Sequence, residues 1–121
     1  MGNIRFYGYS KCGTCRAARK WLKDHGVQFE EVEIREHPPS TEEIKNMVEL
    51  SGLDIKQFFN TSGEVYRSTG LKDKLADMTF EEKAELLASN GMLIKRPIVT
   101  DGTKVTVGFD ERKYQDNWLT Y

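Results

Sequence analysis

Apolar and polar positions change rhythm several times along this chain, and each change marks an element. Ile4 to Tyr9 alternates with period two, Ile4 and Phe6 to one side and Arg5, Tyr7 and Tyr9 to the other, which predicts a strand. From Gly13 to His25 the period lengthens to that of a helix. Ala18, Leu22 and either Cys15 or His25 share one face there, with Ala17 and Trp21 beside them. Gly26 is the stop signal. Val27 to Ile34 predicts a second strand. Its apolar phase slips between Phe29 and Val32, as a bulge or an exposed end would require.

His37-Pro38-Pro39 ends that strand. Ser40 with Glu43 forms a capping box, and Ile44, Met47 and Val48 mark the buried stripe of a helix that closes near Gly52. Leu53 to Leu75 is less periodic; Asp54 to Phe59 predicts a short helix and Asn60-Thr-Ser-Gly63 a loop. Thr79 with Glu82 forms a second capping box, opening a helix with Phe80, Ala84, Leu87 and Ala88 inward and its end at Asn90-Gly91. A hairpin follows, Ile98 to Thr100 and Thr103 to Phe109, joined by Asp101-Gly102, with Val105, Val107 and Phe109 alternating. Asp110 caps a last short helix holding Tyr114, Trp118 and Leu119. There are no repeats and no low-complexity segments.

The totals narrow the function classes. A chain of 121 residues suits one domain, and 38% hydrophobic with 31% charged residues describes a soluble globular protein. A formal net charge of -1 argues against a dedicated nucleic-acid surface. No apolar run has the length a bilayer span needs. The start, Met-Gly-Asn-Ile-Arg-Phe, has no apolar signal core, and Phe6 breaks the myristoylation pattern. A cytoplasmic location is therefore expected. In a reducing cytosol, two cysteines are catalytic, redox-sensing or metal-binding sooner than a permanent staple.

Those cysteines lie in Tyr9-Ser-Lys-Cys12-Gly-Thr-Cys15-Arg16, where the first strand runs into the first helix. Unpaired N–H groups and the positive dipole end of a helix both favour thiolate over thiol. Lys11, Arg16, Arg19, Lys20 and Lys23 add positive charge. Cys12 should feel this most, and Cys15 sits one turn on, within reach of a disulfide. This setting outweighs the plain reading of two inert thiols. A metal centre is not predicted: one Cys-x-x-Cys supplies two ligands, and His25 and His37 are not at knuckle spacing. A phosphatase loop would need an arginine at Ala18. Tyr9 and Thr14 flank the motif, equally well read as packing or as bystanders. No nucleotide, flavin or metal motif is present, so no cofactor is expected.

The order strand, helix, strand, helices, hairpin, helix is that of a thioredoxin or glutaredoxin fold. The expectation is an α/β protein with a four-stranded mixed sheet: a single thioredoxin-like domain over 1–121, with 1–37 and 92–121 as core and 38–91 as a helical insertion. By that analogy Pro97 takes the place of the fold's cis-proline.

Cys12-Gly-Thr-Cys15-Arg16, Pro38-Pro39-Ser40 opening a helix, Phe58-Phe59-Asn60-Thr-Ser-Gly63, Arg96-Pro97-Ile98-Val99 and Val105-Thr-Val-Gly108-Phe109 together extend the likeness. With them the chain resembles the family of glutaredoxin-coupled arsenate reductases and Spx-type transcription regulators. The resemblance implies that Cys12 is the nucleophile toward an oxyanion and that Arg96 holds its charge, with Arg16 and Pro97 beside the site. Where the reductases carry an arginine before the region around Tyr66, this chain has Asn60, and where they carry a late-hairpin arginine it has neutral residues, Gly108 among them. Cys15 implies an internal resolving thiol, with glutathione or another thiol as co-substrate and glutaredoxin or thioredoxin as reductant. In the regulators, a glycine and the Arg-Pro-Ile arginine contact the alpha subunit of RNA polymerase; Gly52 and Arg96 are their counterparts. The expected function is thus a thiol-dependent oxidoreductase, with a redox-switched regulator that binds RNA polymerase as the alternative.

Overall fold

A computed structural model describes residues 4–61 and 63–119. Ser62 of the expected loop and Met1 to Asn3 of the N-terminal reading lie outside the described residues. A four-stranded sheet runs in the order β2-β1-β3-β4. Strand β1 (Arg5–Gly8) pairs in parallel with β2 (Glu30–Glu33) and antiparallel with β3 (Ile98–Thr100), which pairs antiparallel with β4 (Val105–Val107). The parallel pair is joined through helix α1 (Gly13–Asp24). This is the thioredoxin/glutaredoxin-like mixed sheet that the element order predicts.

The chain forms two compact units: one runs up to Glu33 and resumes at Arg96, the other is Ile34–Lys95. The first holds the sheet, α1 and the last helix, α6 (Glu111–Trp118). Its core joins Ile4 and Phe6 of the β1 segment, Cys15, Ala18, Trp21 and Leu22 of α1, Val99, and Tyr114 and Trp118 of α6. Two buried aromatic side chains in it find hydrogen-bond partners. Trp118 Nε1 donates to Thr106 Oγ1 at 3.1 Å, and the Tyr114 hydroxyl donates to the Gly108 carbonyl at 3.2 Å.

The second unit is helical. It contains α2 (Thr41–Ser51), α3 (Glu64–Ser68), α4 (Leu71–Lys74) and α5 (Phe80–Ser89), with 3-10 turns at Ile55–Phe58, Leu75–Asp77 and Gly91–Leu93. Both expected capping boxes are present, Ser40 with Glu43 and Thr79 with Glu82. Helix α2 packs on α5, and Lys45 reaches Glu81 at 2.7 Å. The Phe58–Asn60 segment runs against Leu93–Lys95: Asn60 N–H donates to Leu93 O and Lys95 N–H to Phe58 O, both at 2.8 Å.

Several local readings need correction. The second strand keeps only Glu30–Glu33, because the phase slip leaves its glutamates exposed or half-buried. Cys15, not His25, completes the buried face of α1. Ala17 and His25 are exposed, with the His25 ring stacked on Trp21 at 3.9 Å. The hairpin loop is longer than the two residues that Asp101-Gly102 predicts: Thr100 pairs with Val105, not Thr103. Asp101 Oδ1 accepts from the N–H groups of Thr103 and Lys104, drawing both into the turn. Phe80 is 43% exposed, being the first residue of its helix, where the side chain leans back past the helix start. Leu119 follows α6 as its C-cap and is 39% exposed. Two short helices, α3 and α4, occupy the stretch whose periodicity was too brief to read.

One glycine is fixed by contact alone. A Cβ on Gly91 would lie 1.9 Å from the Ile34 carbonyl oxygen, which is backbone and has no rotamer to yield. Gly91→Ala should therefore destabilise the protein by about 2–3 kcal/mol, as overpacking against an unyielding neighbour does. Urea unfolding midpoints check this, and an unchanged midpoint would show that the Ile34 strand end gives way.

Candidate functional site

The site is built where β1 hands over to α1. After Gly8 the chain turns within a few residues, and the Cys12 N–H donates to the Tyr9 carbonyl at 3.1 Å. Cys12 is then the N-cap of α1, on extended backbone, and its carbonyl accepts the Arg16 N–H. A helix leaves its first N–H groups without internal partners, and an N-cap side chain satisfies one of them. Here that acceptor is sulfur: the Cys15 N–H donates to Cys12 Sγ at 3.4 Å. Cys15 lies in the first turn with its side chain fully buried, and its own Sγ accepts the Tyr9 N–H at 3.4 Å. Both cysteines are free thiols, Cys12 half-buried.

Arg96 joins them from the segment entering β3, across a cis Arg96–Pro97 peptide. The fold analogy placed such a proline at Pro97. The guanidinium lies over the Tyr9 ring, 5.3 Å from its centroid. A ring face attracts a cation and also limits where it moves. Tyr9 thus ties three parts together: its carbonyl holds Cys12, its N–H holds Cys15, and its ring carries Arg96. Sequence offered Tyr9 only as a flanking residue, because stacking on Arg96 depends on the pairing of β1 with β3. Thr14 is exposed. Arg16 has an exposed side chain and enters through its backbone N–H.

The two thiols sit in opposite electrostatic settings. Burial raises Cys12, but hydrogen bonds from the Cys15 thiol and N–H, together with the Arg96 charge, outweigh it and hold Cys12 below the usual thiol range. Burial dominates at Cys15 and, with the neighbouring Cys12 charge, pushes it up to about 12 against the Tyr9 N–H. The pair therefore divides its roles: Cys12 releases a proton first and Cys15 keeps the one that remains.

Further along α1, Arg19 makes a forked ion pair with Glu31 of β2, both contacts at 2.6 Å, and lies over the Phe6 ring at 5.6 Å. Asn60, in the helical unit, is taken up by a turn. Its carbonyl accepts the Gly63 N–H at 3.0 Å, and a Cβ on Gly63 would meet its side chain at 2.6 Å. Gly108 has φ +80 and gives its N–H to the Pro97 carbonyl. Among the described residues no group of three or more His, Cys, Asp or Glu side chains could hold a metal ion, and no helix is long and apolar enough to cross a membrane.

Alkylation across pH reads this asymmetry. Iodoacetamide should label Cys12 with a midpoint below that of an ordinary thiol, while Cys15 stays silent through neutral pH. Arg96→Met should move the Cys12 midpoint upward and slow labelling severalfold at pH 7, since a positive charge beside the thiolate is lost. Equal midpoints for the two cysteines would contradict it.

A family model described as the ArsC family matches residues 7–117. The protein YusI of Bacillus subtilis (strain 168) is 59% identical over 116 residues, which are 96% of this chain and 98% of YusI. The regulatory protein MgsR of the same organism is 31% identical over 107 residues, 88% of this chain and 83% of MgsR. A solved structure described as a possible arsenate reductase from Streptococcus mutans UA159 is 45% identical, with 90% of this chain and 92% of that one covered and a TM-score of 0.84. On this match, carried over nearly its whole length, the chain belongs to the ArsC family.

Proposed function

We propose that this protein is a thiol–disulfide oxidoreductase. Cys12 attacks as a thiolate. Cys15 resolves the adduct by closing an intramolecular disulfide, and a thiol system, glutathione with glutaredoxin or thioredoxin, returns the pair to the reduced state. The observation that supports this most is the asymmetry of the pair: an N-cap thiol with a helix N–H and Arg96 beside it, and a second thiol buried one turn away. Arg96 is the residue that meets the negative charge of a substrate, and Pro97 sets the backbone that carries it.

Arsenate is the oxyanion that the family resemblance suggests. A tetrahedral dianion is held best by several forked donors. Asn60 is committed to a turn, and an arginine at Gly108 would stand on left-handed backbone. One arginine suits a singly charged carboxylate, as on glutathione, better than an arsenate dianion. Small disulfides are therefore the preferred substrates on this reading, with arsenate a poor one.

NADPH consumption coupled through glutaredoxin or thioredoxin tests both arms, with arsenate or a glutathione mixed disulfide as oxidant. Turnover of the disulfide should fall to background in Cys12→Ser. In Arg96→Met the KM for the anionic substrate should rise about 10- to 100-fold, the cost of one charge-assisted hydrogen bond. No turnover of either oxidant, with thiol titration showing no Cys12–Cys15 disulfide, would overturn the proposal.

The likeness to MgsR supports a second reading, a redox-switched regulator that binds the RNA polymerase alpha subunit through Gly52 and Arg96. Gly52 has φ +71, so Gly52→Arg would strain a helix end by about 1–2 kcal/mol as well as alter a surface. Arg96→Ala is the cleaner probe. On this reading, purified alpha C-terminal domain binds one redox state, and Arg96→Ala weakens it. Absence of binding in both states would dismiss it.

A further inference from the structure

Arg96 reaches the site on a long side chain with much rotamer freedom, so its value to an incoming anion depends on how its head is held. The sheet brings one residue to it. In the antiparallel pairing of β1 with β3, Tyr7 faces Ile98. Continuing that register past Gly8 and Pro97 sets Tyr9 opposite Arg96, as a cross-strand pair just beyond the ladder. The guanidinium carbon lies over the Tyr9 ring, 5.3 Å from its centroid.

Tyr9 is itself held by the cysteine loop. Its N–H donates to Cys15 Sγ at 3.4 Å, and its carbonyl accepts the Cys12 N–H at 3.1 Å. Filling the core does not account for the ring. Tyr9 is half-buried and stands outside the cluster that joins Ile4, Phe6, Cys15, Ala18 and Leu22. An aromatic face attracts a cation where an aliphatic side chain of the same reach does not. Holding the cation before the substrate arrives also lowers the ordering cost of binding.

Resting on the oxidoreductase reading, we propose that Tyr9 is a positioning residue that sets substrate preference: its ring holds Arg96 beside Cys12, so the site favours disulfides carrying a carboxylate near the sulfur over uncharged ones. Mixed disulfides of carboxylate-bearing thiols are the substrate class this selects. Lys11 and Arg16 are exposed beside the motif and attract anions whatever the ring does. Selectivity that survives loss of the ring would belong to them.

Two reagents read the preference at pH 7: dithiobis(nitrobenzoate), with a carboxylate on each ring, and the uncharged dithiodipyridine. With either, the Cys12 thiolate bonds to one reagent sulfur, the reagent's S–S bond breaks, and its electron pair leaves with the aromatic thiolate. The ratio of the two first-phase rates cancels the thiolate fraction and reports where the cation stands. Tyr9→Leu should lower that ratio about 3- to 10-fold, and Tyr9→Phe should keep it. Arg96→Met should lower it at least as far, and adding Tyr9→Leu to Arg96→Met should change nothing more. Tyr9→Met, which has similar reach and no ring, gives the same reading if Tyr9→Leu packs badly. A parental ratio in Tyr9→Leu and Tyr9→Met, or a drop that persists in the Arg96→Met background, overturns the role of Tyr9 and leaves the oxidoreductase reading intact. A parental ratio in Arg96→Met overturns the charge selection assigned to both residues. A parent that releases no second thiolate, because Cys15 never closes on Cys12, overturns the oxidoreductase reading itself.

Discussion

The hydrogen bond from the Cys15 N–H to the Cys12 sulfur is the contact on which the site depends. It exists because a helix must find acceptors for its first N–H groups, and in this chain the N-cap is a cysteine where serine, threonine or aspartate would usually stand. The same bond fixes three things. It ends the turn out of β1 and sets the cysteine spacing to one helical turn. It also places about half a positive charge of helix dipole at Cys12. Burial works against the thiolate there, and the donors and Arg96 prevail. At Cys15 the balance reverses, because that thiol lies inside the core with Phe6, Ala18 and Leu22.

Features decided within a few residues were legible in the sequence. The boxes at Ser40 and Thr79 and the cap at Asp110 rest on side chains reaching backbone a turn away, and the glycines at 26 and 52 adopt positive φ as helix stops do. Cys12, Cys15, Arg96 and Pro97 were legible as a motif plus a family likeness. What escaped needed tertiary register. The stacking of Arg96 on Tyr9 requires β3 to lie beside β1. The burial of Glu33 Oε1 follows from the pairing of β2 with β1, and in sequence Glu33 is one of several glutamates in a strand whose apolar phase slips. Asp101-Gly102 misled for a related reason. The short hairpin signal was real, but Asp101 had two N–H groups within reach and used both, lengthening the loop.

On the proposed function, charge selection and thiol activation are separate demands on Arg96. Activation needs a cation near Cys12 in every state, and the Tyr9 ring supplies a platform for that. Selection needs the same cation to receive a substrate anion. A guanidinium carries five N–H donors in a rigid fork, an arrangement that a lysine ammonium on the same stem would not supply. A single fork pairs with one carboxylate, and this is the physical reason for favouring a thiol substrate over a dianionic oxyanion.

The enzyme and regulator readings use the same reduced pair and part over the rate at which Cys15 gives up its proton. A switch thrown by oxidative stress can close slowly and still serve, because its output is a population of oxidised protein. A turnover catalyst cannot wait on solvent hydroxide at neutral pH when its resolving thiol is pushed up to about 12. The rate of disulfide closure in the reduced protein is therefore the property that separates the two readings.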